Sequence, residues 1–371
     1  MTLLGVPAAL AALALEAHAS EAEDHALLAD TWASYRTRYI LPSGRVADPA
    51  GGDRSTSEGQ AYALVRALVV GDPGTFEQVR LWTVDNLQHG DPTRLPAWHW
   101  GLLPNGQWGI VDEMPAADAD EWMGWALFQA ARVWDKPSYR EQALGLVGHI
   151  WEAETMLIAG QRVLLPGPWA MTTSPVRLNP SYWLPFAWRV FAEEDTAHDW
   201  KSLIDPAYSL LEACKSPYGL PQDWCHVDAV TGKVSVPTTA QKTDANFGFE
   251  AFRVAWTLAA EAQWYQEPRA SALLSDFRRL SRRWAAQDKL PAVIGPHGTA
   301  QVGYAYQGMY GAMLPAWSVD RPARSKALWR RALSPTRTET GWGDSKDYYG
   351  QNWIWLGFAL WRGQMGAGGP A

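Results

Sequence analysis

The chain contains 371 residues, of which 47% are hydrophobic and 19% are charged. This composition is typical of a globular protein and excludes extensive disorder. The formal net charge is −7, which argues against a nucleic-acid partner because phosphates require a basic surface. Beyond the N-terminal segment, no apolar stretch is long enough to indicate a membrane span.

The N-terminus has the organisation of an export signal. A short apolar run from Leu3 to Leu15 is followed by Ala17-His18-Ala19, which has the small-x-small form of a signal-peptidase site. We therefore expect residues 1–19 to be a signal peptide and the protein to be secreted or periplasmic. No Lys or Arg precedes the apolar run, so a buried first helix is the alternative.

The two cysteines, Cys214 and Cys225, flank a turn rich in Pro and Gly. In an exported chain they could close a local disulfide, and the alternative is a pair of unpaired thiols. No histidine cluster accompanies them, so they do not indicate a zinc site. We expect neither a metal nor a cofactor.

Helical patterns dominate the chain, and strand signals are sparse. Many helical stretches are apolar on most of their circumference, which indicates burial on two sides. Because twelve such stretches follow one another without a linker, we predict an all-α toroid of six helical hairpins as a single domain over residues 20–371. The predicted helices are Leu27–Tyr39, Ser57–Val70, Thr75–Leu87, Asp120–Val133, Tyr139–Glu154, Pro180–Glu193, Trp200–Cys214, Phe249–Trp264, Ala270–Ala286, Gly303–Ala316, Pro322–Ala332 and Tyr349–Arg362.

Tryptophan is unusually frequent, with 23 residues in the chain. One interpretation is an aromatic core. The other is carbohydrate binding, because a pyranose ring offers an apolar C–H face with hydroxyls at its rim, and an indole offers a flat apolar surface with one N–H donor. Composition alone leaves both interpretations open.

Glycosidic cleavage needs one protonated and one ionised carboxyl group, and three carboxylates stand in suitable settings. Glu58 follows three hydroxyl residues at a predicted helix start, where an acid can also merely complement the helix dipole. Asp118, Asp120 and Glu121 precede the next apolar helix; such clusters usually cap a helix, and the pattern of a calcium-binding EF-hand is incomplete. Glu250 lies on an apolar stretch, where an ion pair with Arg253 is the alternative.

Several segments match a known family in their order along the chain. Ala116-Ala117-Asp118-Ala119-Asp120 nearly reproduces the pattern A-[ST]-D-[AG]-D, with Ala117 in place of Ser or Thr and, further on, Gly124 in place of the usual Ala. Further matches are Gly44-Arg45-Val46 with Asp48-Pro49, Thr56-Ser57-Glu58-Gly59-Gln60-Ala61-Tyr62, Arg94-Leu95-Pro96-Ala97-Trp98-His99-Trp100-Gly101, Asn179-Pro180-Ser181-Tyr182, Asp223-Trp224, Phe249-Glu250-Ala251-Phe252-Arg253-Val254 and Tyr348-Tyr349-Gly350. Together these segments resemble glycoside hydrolase family 8, particularly the periplasmic endoglucanases that accompany bacterial cellulose synthesis.

The resemblance implies an (α/α)6 barrel with an open substrate groove and an inverting mechanism. Glu58 falls on the family's general acid, and Asp118 falls on the aspartate that grips the distorted sugar at the cleavage subsite. Glu250 falls where the family usually has an aspartate acting as general base. Arg253 is expected to hold that base ionised and oriented. The expected substrate-binding residues are Arg253 itself and the aromatic sugar contacts Trp98, Trp100, Tyr182 and Tyr349.

The implied activity is endo-acting hydrolysis of a β-1,4-linked glucan, beside a cellulose-synthesis machinery. Xylanase and chitosanase activities of the same family are alternatives, and Asp118, Asp120 and Glu121 could supply acid for glucosamine. A further alternative is a non-catalytic glucan-binding barrel that has lost its base, because Glu250 departs from the usual aspartate.

Overall fold

The computed structural model describes residues 6–235 and 239–370. Within them, every one of the twelve predicted stretches contains an α-helix, and Ala270–Ala286 is divided into two helices by a short 3-10 turn. The helices are α1 (Val6–Tyr39), α2 (Ser57–Val70), α3 (Pro73–Leu87), α4 (Ala117–Val133), α5 (Pro137–Glu154), α6 (Pro185–Glu194), α7 (Ile204–Ala213), α8 (Phe252–Trp264), α9 (Pro268–Leu274), α10 (Arg278–Gln287), α11 (Gln307–Ser318), α12 (Pro322–Leu328) and α13 (Tyr348–Trp361).

Six of these helices form a closed inner ring. Going round it, α2 packs against α4, α4 against α6, α6 against α8, α8 against α11, α11 against α13, and α13 against α2. Each inner helix is covered by an outer neighbour: α1 packs on α13 and α2, α3 on α2, α5 on α4, α7 on α6, α9 on α8, and α12 on α11. The fold is an (α/α)6 barrel, which confirms the predicted six-hairpin toroid.

Local sequence signals set the helix starts. Thr56 caps α2 by accepting a hydrogen bond from the N–H of Gly59 at 3.1 Å, and Asp347 caps α13 through the N–H of Gly350 at 2.8 Å. Other helices begin with a proline, whose missing N–H costs no hydrogen bond in the first turn. These prolines are Pro73, Pro137, Pro185, Pro268 and Pro322.

Two glycines allow α11 and α13 to touch through their backbones. A Cβ on Gly311 would lie 2.4 Å from the carbonyl oxygen of Trp353, and one on Gly357 would lie 2.0 Å from the carbonyl oxygen of Gly311. No other residue fits at either position without moving a helix.

The barrel core is aromatic. Trp122 of α4, Phe186 of α6 and Trp256 of α8 meet at the centre, with ring centroids 5.2–5.8 Å apart. Many of the chain's tryptophans are therefore core residues. Those with almost no exposed surface are Trp122, Trp125, Trp183, Trp188, Trp200, Trp256, Trp284, Trp317, Trp342, Trp353 and Trp355.

Short antiparallel strands connect the helices at their ends. The first sheet pairs Thr56 with His99, which brings the start of α2 beside the segment around Trp98. Another sheet pairs Leu178 with Cys225. The strands are β1 (Ser55–Thr56), β2 (His99–Leu102), β3 (Trp108–Asp112), β4 (Thr155–Ile158), β5 (Gln161–Leu164), β6 (Val176–Leu178), β7 (Cys225–Val227), β8 (Val234–Ser235), β9 (Arg337–Thr338), β10 (Gly341–Trp342), β11 (Met365–Gly366) and β12 (Gly369–Pro370).

The structure bears on two features of the chain that the sequence left open. Cys214 and Cys225 form a disulfide, which ties the end of α7 to β7. Residues 1–5 of the expected signal peptide lie outside the described residues, and from Val6 onward the chain is part of α1, so the signal peptide stays a prediction. Among the helices that the structure describes, none combines the length and the apolar character needed to cross a bilayer.

Candidate active site

The starts of the inner helices surround a cavity of about 380 Å³ at one end of the barrel. Because a helix N-terminus carries partial positive charge, this end of the barrel favours carboxylates. The lining residues are Asp48, Ala50, Arg54, Thr56, Ser57, Glu58, Trp98, Ala116, Asp118, Tyr182, Phe249, Glu250, Lys346, Asp347, Tyr348 and Tyr349.

Glu58 lies in the first turn of α2 and faces this cavity. Its Oε2 accepts a hydrogen bond from Nη1 of Arg253 at 3.0 Å. Burial raises the pKa of the Glu58 carboxyl to about 8; Arg253 opposes this effect, whereas the nearby carboxyls of Asp118 and Glu250 add to it. Glu58 therefore holds its proton at neutral pH.

Asp118 lies in the first turn of α4, and its side chain is only 5% exposed. Oδ2 accepts from Nη1 of Arg253 at 2.8 Å, and Oδ1 accepts from the N–H of Ala119 at 2.9 Å. Burial raises the pKa of Asp118 to about 6, with Arg253 opposing that shift. Asp118 therefore ionises at a lower pH than Glu58.

Glu250 lies in the turn that precedes α8. The predicted helix began at Phe249, but the observed one begins at Phe252, because three N–H groups of this turn donate to Asp223. Oε2 of Glu250 accepts from Nδ2 of Asn179 at 2.9 Å and from Nη2 of Arg253. The ion pair between Glu250 and Arg253 is thus present, and Glu250 also lines the cavity.

Arg253 joins the three carboxylates beneath the cavity. Its side chain is 3% exposed and donates to Glu58, Asp118 and Glu250, and to Oγ of Ser181 at 2.8 Å from Nη2. Arg253 is not part of the cavity lining, so the structure places this expected substrate contact behind the carboxylates. One guanidinium cannot neutralise three ionised carboxyls, which explains why one of them retains a proton.

The acids next to Asp118 in the sequence point away from the cavity. Asp120 and Glu121 are 0% exposed, and Oε1 of Glu121 accepts from the indole of Trp188. Burial raises the pKa of Asp120 well above its usual range, and the neighbouring carboxyl of Glu154, also 0% exposed, raises it further. These two acids therefore add no charge to the groove, and they give no support to glucosamine binding.

A second cavity, of about 450 Å³, extends the first. The two share Trp98, Ala116 and Tyr182, so together they form one groove. The second cavity adds two indoles, Trp169 and Trp224. The guanidinium of Arg177 lies 3.9 Å from the ring centre of Trp224, which fixes that indole. The groove thus offers several aromatic surfaces in succession.

Three of the four aromatic residues expected to contact sugar line the groove: Trp98, Tyr182 and Tyr349. Trp100 does not line either cavity; it packs edge-on against Trp82 and stacks on Trp108, with ring centroids 5.4 and 5.1 Å apart. The side chains at positions 98 and 100 have different surroundings because the strand register shifts between His99 and Trp100.

Sequence reasoning missed some aromatic residues of the groove. Trp169, Trp224 and Phe249 line it, and Tyr306 supports it by stacking on Tyr349 with centroids 6.4 Å apart. Trp224 stood in a segment that matched the family, without an assigned role. Phe249 stood in another such segment, Tyr306 lay within the predicted helix Gly303–Ala316, and Trp169 lies between two predicted helices.

Asp244 is another carboxylate close to Glu250 in the sequence. It accepts two hydrogen bonds from Arg177, at 2.8 and 2.9 Å, and one from Nε2 of His226 at 2.8 Å. Burial raises the pKa of Asp244, but Arg177 and His226 outweigh it and bring that pKa below its usual range. Asp244 does not line either cavity. Within the described residues, no group of three or more acidic, His or Cys side chains could hold a metal ion.

A helical barrel with a groove lined by carboxyl and aromatic groups has the features of a carbohydrate-active hydrolase. The family model "Glycosyl hydrolases family 8" matches residues 5–326. The chain therefore belongs to glycoside hydrolase family 8.

Individual relatives agree with this assignment. The endoglucanase of Pseudomonas fluorescens is 31% identical, over 69% of this chain and 65% of that protein. The endoglucanase of Xanthomonas axonopodis is 31% identical, over 95% of this chain and 91% of its own length. The crystal structure of an endo-1,4-D-glucanase from Vibrio fischeri superimposes with a TM-score of 0.79 at 28% identity, covering 92% of this chain and 97% of that one.

The arrangement around Arg253 predicts how Glu58 titrates. Carbon-13 NMR of labelled glutamate carboxyls should place the Glu58 transition near pH 8, with Glu58→Gln identifying the resonance. Asp118→Asn should lower that pKa, because it removes a like charge and leaves Nη1 of Arg253 to Glu58 alone. Asp72→Asn, at the remote start of α3, should leave it unchanged. A Glu58 transition below pH 5 would contradict the raised pKa of this carboxyl.

Proposed function

We propose that the protein is an inverting endo-1,4-β-glucanase that hydrolyses an uncharged β-1,4-linked glucan. The observation that carries this proposal is the placement of Glu58 and Glu250 on one cavity, where Glu58 holds a proton and both carboxyls contact the same guanidinium. The endoglucanase names of the relatives support the same activity.

Glu58 is the general acid of this proposal. A carboxyl group that is still protonated at neutral pH can transfer its proton to the glycosidic oxygen as the bond to the anomeric carbon breaks. The burial that raises its pKa and the like charges of Asp118 and Glu250 both contribute to this state. Above about pH 8 the proton is lost, so turnover should decline there.

Glu250 is the general base. It removes a proton from the water that attacks the anomeric carbon from the opposite face of the sugar. Asn179 and Arg253 both donate to one of its oxygens, Oε2, and so orient the carboxylate while the other oxygen can accept the water's proton. In an inverting enzyme we expect about 6.5–9.5 Å between the two carboxyl groups, which leaves room for that water.

Asp118 holds the sugar at the cleavage point. Its carboxyl lines the cavity together with the other two acids, and Tyr182 belongs to the same lining. We expect this fixed acceptor to bond a sugar hydroxyl more strongly when the ring is distorted towards the transition state than when it is relaxed. Asp118 therefore contributes through substrate binding and distortion rather than by transferring a proton.

The shape of the groove supports endo action. Two connected cavities can hold several consecutive sugars, and the aromatic side chains along them suit the apolar faces of glucose units. The acids beside Asp118 are buried and do not face the groove, so they give no reason to expect a charged substrate. This argues for glucan over chitosan as the substrate. Xylan, which also lacks charge, is the second candidate substrate for the same mechanism.

We place the enzyme outside the cytoplasm, secreted or periplasmic, as a single catalytic domain over residues 20–371. The disulfide between Cys214 and Cys225 supports this location because such bonds persist in oxidising compartments. The expected function is cleavage of glucan chains in that compartment, beside a cellulose-synthesis machinery.

Glu58→Gln tests the acid. The amide keeps the shape and the contact with the groove but has no transferable proton, so kcat should fall by roughly two to four orders of magnitude while folding is retained. Reducing-sugar release from carboxymethylcellulose and a thermal melt measure the two effects. Activity within about threefold of wild type, with a folded protein, would rule out Glu58 as the acid.

The stereochemistry of the product tests inversion. Proton NMR of the first products from a soluble β-glucan should contain the α-anomer before mutarotation mixes the two. An initial β-anomer would mean a covalent intermediate and different roles for the carboxyls. The same assay on mixed-linkage glucan, xylan and chitosan identifies the substrate, and we expect the glucans to be cleaved fastest. Binding without any release of reducing ends would instead indicate a non-catalytic barrel.

Glu250 variants test the base. Glu250→Gln should abolish turnover but retain oligosaccharide binding, because the aromatic surfaces remain. Glu250→Asp should keep part of the activity, since it preserves a carboxylate in a pocket built for a longer side chain. Thermal melts separate these effects from loss of the ion pair with Arg253. A folded and active Glu250→Gln beside an inactive Asp244→Asn would assign the base to Asp244 instead.

A further inference from the structure

The turn that carries Glu250 is held by a carboxylate from elsewhere in the chain. Oδ1 of Asp223 accepts three backbone hydrogen bonds, from the N–H groups of Gly248 at 2.9 Å, Glu250 at 3.2 Å and Ala251 at 2.8 Å. These are the groups that would otherwise be unpaired ahead of α8. Ala251, the residue preceding α8, makes no side-chain cap of its own.

The turn is shaped around this carboxylate. A Cβ on Gly248 would lie 2.7 Å from Oδ2 of Asp223, so a glycine is needed for the approach. Gly248 and Asp223 therefore form a matched pair. A larger side chain at 248 would displace the carboxylate and, with it, the three N–H groups.

Asp223 is itself fixed from two sides. Its own N–H donates to the carbonyl of Asn246 at 2.7 Å, and the N–H of Trp224 donates to the carbonyl of Asp244 at 3.0 Å. The next residue, Cys225, is held by the disulfide to Cys214. The position of Asp223 therefore depends on backbone contacts and a covalent link, and not on the substrate.

The same strand pair supplies a second contact to Glu250. Cys225 pairs with Leu178 across the sheet, and Asn179, which follows Leu178, donates to Oε2 of Glu250 at 2.9 Å. The backbone of Glu250 is thus set by Asp223, two residues before β7, and its carboxylate is set by Asn179, the residue after β6.

We propose that Asp223 is a positioning residue for the hydrolytic reaction: it fixes the backbone of Glu250 so that the carboxylate reaches the attacking water. The inference rests on the proposed function of Glu250 as the base. Asp223 does not line the groove, so it acts only through Glu250. Its removal should lower kcat and leave substrate binding nearly unchanged, because the aromatic surfaces of the groove are not disturbed.

Asp223→Ala should lower kcat by roughly 10- to 100-fold with KM within about threefold, the effect expected when a reacting group is misplaced by about 1 Å. Asp223→Asn should restore most of the activity, since its amide oxygen can still accept the N–H groups. Gly248→Ala should reproduce the loss by displacing the carboxylate, and it keeps the test decisive if Asp223→Ala does not fold. Kinetics on carboxymethylcellulose and thermal melts measure these effects.

The start of α3 provides matched controls. Asp72 caps that helix through the N–H of Thr75 at 3.0 Å, and a Cβ on Gly74 would lie 3.7 Å from Oδ1 of Asp72, an ordinary contact. Asp72→Ala should lower thermal stability without changing kcat, and Gly74→Ala should change neither.

The outcomes separate this inference from the function on which it rests. An active Glu250→Gln would remove the base assignment itself. An inactive Glu250→Gln beside folded Asp223→Ala and Gly248→Ala variants with kcat within threefold of wild type would overturn only the positioning role. A raised KM with unchanged kcat, or an Asp223→Asn as inactive as Asp223→Ala, would also overturn it.

Discussion

The site depends on one buried cation. Arg253 lies beneath three carboxyls and contacts all of them, although it has a single positive charge. Because Arg253 and Asp118 are almost fully buried, water compensates this imbalance only in part, which favours a proton on one of the acids. It remains on Glu58, whose pKa is raised to about 8, above the value of about 6 for Asp118. The roles proposed for Glu58 as acid and Glu250 as base are thus consistent with burial of Glu58 and with the single charge of Arg253.

The barrel brings these groups together because its inner helices present their starts on one end. Glu58 and Asp118 lie in first turns, and Glu250 lies just before one. These residues are far apart in the sequence, yet each is brought to the groove by the local sequence features that start its helix. Helix N-termini also add partial positive charge, which favours carboxylates at this end of the barrel.

Much of the fold could be predicted from the sequence, because helix signals are local. Helix α2 was predicted with both of its ends, since Thr56 caps its start and Gly71 follows its end with φ of 72°. The contacts of Arg253 with Glu58 could not be predicted, because they form only when the ring closes across 195 positions of the chain. The start of α8 at Phe252, later than predicted, could not be predicted for the same reason. The backbone N–H groups that would extend the helix donate to Asp223, which is distant in the sequence. Trp98 and Trp100 were both predicted to contact sugar, because nothing in the sequence distinguishes them. Only the strand irregularity between His99 and Trp100 gives their side chains different surroundings.

The buried acids behind the groove have a consequence for stability against acid. Burial raises the pKa values of Asp120 and Glu154 well above their usual range, and that of Asp223 to about 7. The folded chain therefore keeps protons that the unfolded chain releases once the pH exceeds the ordinary carboxyl range of about 4. Unfolding releases protons in this interval, so the contribution of these groups to the free energy of unfolding falls as the pH rises from about 4 towards neutrality. Mild acidification thus strengthens this part of the barrel, the reverse of the usual behaviour of carboxylates paired with cations.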